Sequence, residues 1–215
     1  MLRPLEKTLL NYKRPYLTEA ELEILLNSTP NSRYSKVKRM VARGKLLSVR
    51  RGLYCITEEL GYRKKPLSFE LAQYIYGPSF ISLESALSFH GLIPEAVYTT
   101  TSVSGKRKHE FKTPLGVFSY LTAPQKELFV EVELIEENDY KFFMAKPWRA
   151  ICDYIFCYKK TNMSLKSLFN NLRINLENLP YLSPETAQRL ADYYHNPKMA
   201  QFLKEALRLN EEETA

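Results

Sequence analysis

Asn31-Ser32-Arg33-Tyr34-Ser35-Lys36-Val37-Lys38-Arg39-Met40-Val41-Ala42-Arg43-Gly44 runs directly into Lys45-Leu46-Leu47-Ser48-Val49-Arg50-Arg51-Gly52-Leu53-Tyr54-Cys55-Ile56. The first stretch has helical periodicity, with Asn31 or Ser32 as its cap and Gly44 as its C-terminal stop. The second reads as two short strands, Leu46–Val49 and Leu53–Ile56. Arg50-Arg51-Gly52 joins them as a three-residue hairpin loop, with Gly52 suited to the left-handed position. With Ser32 as origin and about 100° per residue, Lys36, Arg39 and Arg43 fall within about 40° of it, while Tyr34, Val37 and Val41 lie about 140–200° away. A cationic stripe therefore opposes an apolar stripe, and the apolar one is expected to dock on neighbouring elements.

Upstream, residues 5–13 read as a short helix. Thr18 and Glu21 form a capping-box pattern ahead of Leu22, Leu25 and Leu26, a second helix that should stop near Ser28-Thr29-Pro30. Three helices followed by a basic hairpin predict a winged helix-turn-helix over residues 1–60. Downstream, residues 61–66 (GYRKKP) read as a linker. Residues 67–215 predict a mixed α/β domain. Its helical signals lie at Phe69–Tyr76 and Leu83–His90. Its strands, Tyr98–Val103, Glu110–Thr113, Val117–Leu121, Leu128–Leu134 and Tyr140–Met144, predict a largely antiparallel sheet, with Gly105-Lys106-Arg107-Lys108 as a hairpin turn. Helices are expected at Trp148–Tyr158, Leu165–Leu172, Pro184–Tyr194 and Pro197–Leu209, followed by an acidic tail at Glu211–Glu213. The fold class expected is α+β.

Charge is unevenly distributed along the 215 residues. Up to Thr57 there are twelve basic residues against four acidic ones, a surplus of +8, while the whole chain carries only +7. No acid occurs from Ile24 to Ile56. A basic domain beside a near-neutral one is the electrostatic footprint of a polyanion binder. Like charges at Lys36, Arg39 and Arg43 without compensating acids cost a helix stability unless a polyanion is present. An α-helix fits the major groove of double-stranded DNA, and Arg and Lys donate to guanine O6 and N7. The expected DNA-binding residues are Ser32, Ser35, Lys36, Arg39 and Arg43 on the helix, with Arg50 and Arg51 at the wing tip reaching the flanking backbone or minor groove.

The second half offers no persuasive catalytic constellation. Glu131 and Glu133 alternate on the predicted strand and so share a face. Paired carboxylates can hold a metal for phosphodiester cleavage, but Ile135 stands where the nuclease pattern puts a lysine, and alternation is what a half-buried strand shows anyway. His90, His109 and His195 lack ligand spacing, and Cys152 and Cys157 are not placed for zinc. His90 reads as a helix C-terminal residue. Trp148, Ile151, Cys152 and Ile155 read as core, and Arg149 with Asp153 as an i,i+4 pair. No metal, cofactor or phosphate loop is expected. The three cysteines suit a reducing compartment. With no apolar run near the roughly 20 residues of a membrane span and no signal-peptide pattern, a cytoplasmic location is expected.

The stretch Tyr34-Ser35-Lys36-Val37-Lys38-Arg39-Met40-Val41-Ala42-Arg43-Gly44-Lys45-Leu46, running into Val49-Arg50-Arg51-Gly52-Leu53-Tyr54, resembles the N-terminal domain of AbiEi-type antitoxins of type IV toxin–antitoxin (abortive infection) systems. Phe80-Ile81-Ser82-Leu83-Glu84-Ser85-Ala86-Leu87-Ser88-Phe89-His90-Gly91-Leu92 is similar to that family's Ala-Leu and His-Gly-Leu segment. Ala145-Lys146-Pro147-Trp148-Arg149-Ala150-Ile151-Cys152-Asp153-Tyr154 resembles its Ala-Leu-x-Asp helix. The likeness runs to about Tyr158. It implies a winged helix that binds inverted repeats upstream of its own operon, and a second domain that counteracts a nucleotidyltransferase-like toxin. A stand-alone regulator without a toxin is the other reading, and a metal-dependent nuclease using Glu131 and Glu133 a third.

Overall fold

Thr18 closes the capping box that the sequence predicts. Its Oγ1 accepts from the Glu21 backbone N–H at 3.3 Å, and the Glu21 carboxylate accepts from the Thr18 N–H at 2.8 Å. Such a cap is worth about 1 kcal/mol. It launches helix α2 (Glu19–Leu26) from strand β1 (Tyr16–Thr18), which follows helix α1 (Pro4–Leu10). The computed structural model describes residues 3–213, with side chains in the last helix described as far as 208; the expected acidic tail at 211–213 has its side chains outside the described residues.

Helix α2 ends two residues earlier than expected, with Asn27 in the left-handed conformation. Helix α3 spans Pro30–Ala42, and its cap is Thr29 rather than Asn31 or Ser32. The reason is Pro30. Its fixed φ and missing N–H suit the first helical position, so the helix starts there. Gly44, at φ +70°, turns the chain out of α3. Strands β2 (Leu46–Arg50) and β3 (Leu53–Ile56) form the hairpin. Arg50 itself pairs with Leu53, past a register shift after Ser48, so the turn is Arg51-Gly52 and not the expected three residues. Gly52 does take the positive φ, +76°.

The resulting antiparallel sheet has the order β1-β3-β2. One face, through Leu17, Leu46 and Ile56, packs with Leu9, Leu22, Val37 and Met40 of the three helices. The other face, through Tyr16, Val49, Leu53 and Cys55, joins the core of the rest of the chain. Strand periodicity of two makes this possible, because neighbours such as Tyr16 and Leu17 point to opposite sides. Burial of Val49 and Leu53 contributes about 1.5–3 kcal/mol each, so the sheet is a wall shared by both halves. The linker read at 61–66 is likewise tied down, with the Tyr62 hydroxyl donating to the Tyr12 carbonyl at 2.7 Å.

The remainder contains helix α4 (Ser68–Ile75), strand β4 (Ser79–Ile81), helix α5 (Leu83–Phe89), then β5 (Thr100–Ser104), β6 (His109–Thr113), β7 (Gly116–Thr122), β8 (Val132–Glu137) and β9 (Tyr140–Ala145). Helices α6 (Pro147–Cys157), α7 (Leu165–Leu172), α8 (Pro184–Tyr194) and α9 (Pro197–Glu213) follow. The six strands have the order β6-β7-β5-β4-β9-β8. The sheet is mixed: three of its five strand pairs are antiparallel, in line with the sequence, while β4 runs parallel to β9 and β5 parallel to β7. Residues Gly105–Lys108 do connect β5 to β6, but β7 lies between those strands, so the expected hairpin turn is a crossover. The chain as described is α+β.

A buried polar lock joins α6, α8 and the start of α5. Arg149 and Asp153 are both fully buried, and Arg149 Nε donates to Asp153 Oδ2 at 3.0 Å. Ser82 Oγ and the Tyr194 hydroxyl also donate to Asp153, at 2.7 and 2.6 Å. The Arg149 guanidinium lies 4.0 Å from the centre of the Tyr193 ring and donates to the Val130 carbonyl at 2.6 Å. The predicted i,i+4 pair is therefore real, but it is a core element rather than a surface one.

Candidate nucleic-acid interface

Helix α3 is oriented by what it buries. Arg33, Val37 and Met40 face inward. Arg33 is a fastener: its Nε meets Glu19 at 2.8 Å, its Nη1 meets Glu23 at 3.4 Å, and it also donates to the Ser28 carbonyl at 3.4 Å. Both acids of α2 that could offset the basic α3 are thereby spent on Arg33. The outward arc consists of Asn31, Tyr34, Ser35, Lys38, Arg39 and Ala42.

This arc is turned by roughly 90° from the stripe centred on Ser32, at about 100° per residue. Tyr34, expected to dock with Val37 and Val41, is instead 67% exposed. Of the expected contact residues, Ser35 and Arg39 lie on the outward arc, and Arg39 Nε donates to the Ser35 carbonyl at 3.2 Å. Ser32 is half-buried. Lys36 is half-buried and turns with Arg43 toward a cup between α1 and α3. Arg39 reaches both the arc and the cup. Lys38 and Tyr34 are the outward residues able to reach a ligand by charge or hydroxyl that the periodicity argument left out. Met40 carried the signal: counted with Val37, it pulls the apolar axis toward Arg33 and leaves Tyr34 and Lys38 on the open side.

The two hairpin arginines part company. Arg51 is exposed at the turn, where the Gly52 carbonyl accepts from the Glu19 N–H at 2.8 Å and so holds the turn against the start of α2. Arg50 points the other way. Its guanidinium donates to the Ile75 carbonyl and lies 5.7 Å from the centre of the Phe111 ring. Arg50 is exposed as well, but because β2 and β3 lean on the second half its guanidinium is turned toward Ile75 and Phe111.

Beneath the cup, Glu6 is buried and fully engaged, accepting from Lys45 Nζ at 2.6 Å and from the Arg3 N–H at 3.0 Å. The hydrogen bond from Lys45 holds its carboxyl below the usual range.

The carboxylate pair considered for cleavage does not form. Glu131 precedes β8, on a turn with φ +52°, so it shares no strand face with Glu133. It is buried and held by Lys146 at 3.1 Å and Arg189 at 2.7 Å. No group of three or more metal-ligating side chains occurs among the described residues. His90 caps α5 and its Nε2 donates to the Ala145 carbonyl at 2.9 Å. Cys55 and Cys152 are buried free thiols, and burial pushes the Cys55 thiol up to about 12. Among the described residues no helix is long and apolar enough to cross a membrane. No protein-family model matches the chain, and no curated protein matches it.

Proposed function

We propose that this chain is a double-stranded DNA-binding regulator, whose three N-terminal helices and β1-β3-β2 sheet act as a winged helix with α3 as the recognition element. The observation that carries this reading is the outward arc of α3. It places Tyr34, Ser35, Lys38 and Arg39 in solvent with no carboxylate on the helix, in the quarter of the chain that holds the surplus positive charge. Arg39 and Lys38 suit base edges or phosphates, Ser35 and the Tyr34 hydroxyl suit phosphates, and Arg51 suits the flanking backbone. Arg50 is left out because its guanidinium is engaged by Ile75. Lys36 and Arg43 would border the groove rather than enter it. The role is non-enzymatic and cytoplasmic.

The narrower form of the proposal is an antitoxin and autorepressor that binds inverted repeats ahead of its own operon and counteracts a nucleotidyltransferase-like toxin. Its support is the sequence resemblance alone. Selection of bound duplexes from a random pool, followed by protection of the chain's own upstream DNA, tests the broader reading. A recovered repeat that recurs upstream supports it, and recovery of no preferred sequence defeats it. Rescue of cells from the product of the adjacent reading frame by this chain, and its failure, separate an antitoxin from a stand-alone regulator.

A further inference from the structure

The cup between α1 and α3 has a volume of about 190 Å³. Its rim carries Arg3, Lys36, Arg39, Arg43 and Lys45, and its apolar floor is made by Pro4, Leu5, Leu26 and Met40. Lys45 is the one rim cation in an ion pair among the described residues, its ammonium neutralised by buried Glu6. Both carboxylate oxygens of Glu6 accept hydrogen bonds, one from Lys45 and one from the Arg3 N–H, so the acid is held in the wall with its charge offset by Lys45. Four cations outside any ion pair with the described residues, above an apolar floor, make an amphipathic site. A surface that only has to meet DNA phosphates needs the cations and has no use for the floor.

We propose that this cup binds a small organic monoanion, an aromatic or short branched carboxylate about the size of benzoate. Size sets the upper limit. A dry cavity of about 150 Å³ takes a benzene ring, whereas pockets for drug-sized ligands run to about 300–1,000 Å³. A ring on the floor with a carboxylate at the rim uses the whole space. The head is held by charge-assisted hydrogen bonds, which are about twice as strong as neutral ones. Arg39 is shared with the DNA-facing arc, but binding in the cup is read without DNA and does not rest on that reading.

Titration of the full chain with sodium benzoate at constant ionic strength, followed by calorimetry and by saturation transfer to the ring protons, tests it. Benzyl alcohol and inorganic phosphate serve as the two comparisons, one lacking the charge and the other the ring. The expected result is saturable, one-to-one benzoate binding with a dissociation constant of about 1 mM or tighter. Benzyl alcohol and phosphate each bind at least about tenfold more weakly, and Lys36→Ala/Arg43→Ala weakens benzoate by a similar factor. Both substituted side chains have solvent-exposed atoms, and the variant's melting curve checks its fold. Absence of saturation, equal binding of benzyl alcohol, tighter binding of phosphate, or benzoate binding unchanged in the variant each overturns the proposal.

Discussion

Replacing Asp153 by alanine strips the only carboxylate from a guanidinium that has no access to water. Arg149 and Asp153 are both 0% exposed, and Ser82 and Tyr194, the other two donors to Asp153, are buried with them. Removing one partner of a buried pair costs about 3–5 kcal/mol, because the remaining charge is uncompensated. The two hydroxyls left without an acceptor would each cost about 1–3 kcal/mol if they found no substitute. These contributions overlap, so a loss of about 4 kcal/mol or more is expected, a large share of the 5–15 kcal/mol typical of a domain. Urea denaturation followed by tryptophan fluorescence reads it, since Trp148 sits on the same helix as the pair. The Arg149→Met/Asp153→Leu double variant should recover the part due to the uncompensated charge, as apolar replacements of a buried pair are often neutral, while the Ser82 and Tyr194 hydroxyls still lack their acceptor. A loss below about 1 kcal/mol for Asp153→Ala, against the 3–5 expected for a broken buried pair, or a double variant no better than the single one, would refute the lock as the cause.

Arg50→Ala should lower stability by about 1 kcal/mol through the lost charge-assisted bond to Ile75 while leaving duplex affinity unchanged, with melting curves and DNA titrations as the checks. A tenfold loss of affinity would return Arg50 to the DNA face. Burial raises the Cys55 thiol from 9.0 to about 12. The stability this protonated thiol contributes is complete below about 9 and is lost as pH rises through that window. Urea midpoints measured from pH 7 to pH 10.5, with that window in mind, should therefore fall more in the native chain than in Cys55→Ala. Equal falls would contradict the assignment. Magnesium-dependent cleavage of duplex DNA is not expected, because Glu131 is turned into ion pairs with Lys146 and Arg189; cleavage that disappears in Glu133→Gln would overturn that.

Structure is legible in the sequence where the interactions that set it are local. The bounds of α7 and α8 match the expected spans to the residue, since Ser164 and Ser183 cap their helices and each apolar stripe is continuous. The capping box at Thr18 and the positive φ of Gly52 follow from chemistry confined to a few residues. What was not legible depends on distant partners. Strand β4 has three residues, all buried, too short to show alternation, and its pairing with β5 and β9 is set by the sheet around it. The parallel pairs leave no local mark at all. The candidate site was half legible. The charge surplus and the helix are evident in the sequence, but the face is displaced because the apolar stripe through Tyr34, Val37 and Val41 leaves out Met40 and Arg33, which are buried. The burial of Arg33 depends on Glu19 and Glu23 one helix away. Arg50 was misplaced for the same kind of reason, since Ile75 and Phe111 belong to the other half of the chain.

Fluorescence anisotropy of the protein on its own upstream duplex, in a salt series, beside Lys38→Ala/Arg39→Ala, tests the DNA-binding proposal most directly. Lys38, Arg39, Arg43 and Arg51 are the exposed cations on and beside the α3 face. If each neutralises one phosphate, log affinity against log salt has a slope of about −3.6 per bound chain, and the double variant about −1.8. The account predicts tight binding that prefers this duplex over a scrambled one, with the shallower slope and lost preference in the variant. Affinity, slope and preference that all survive the double substitution would contradict α3 as the recognition element.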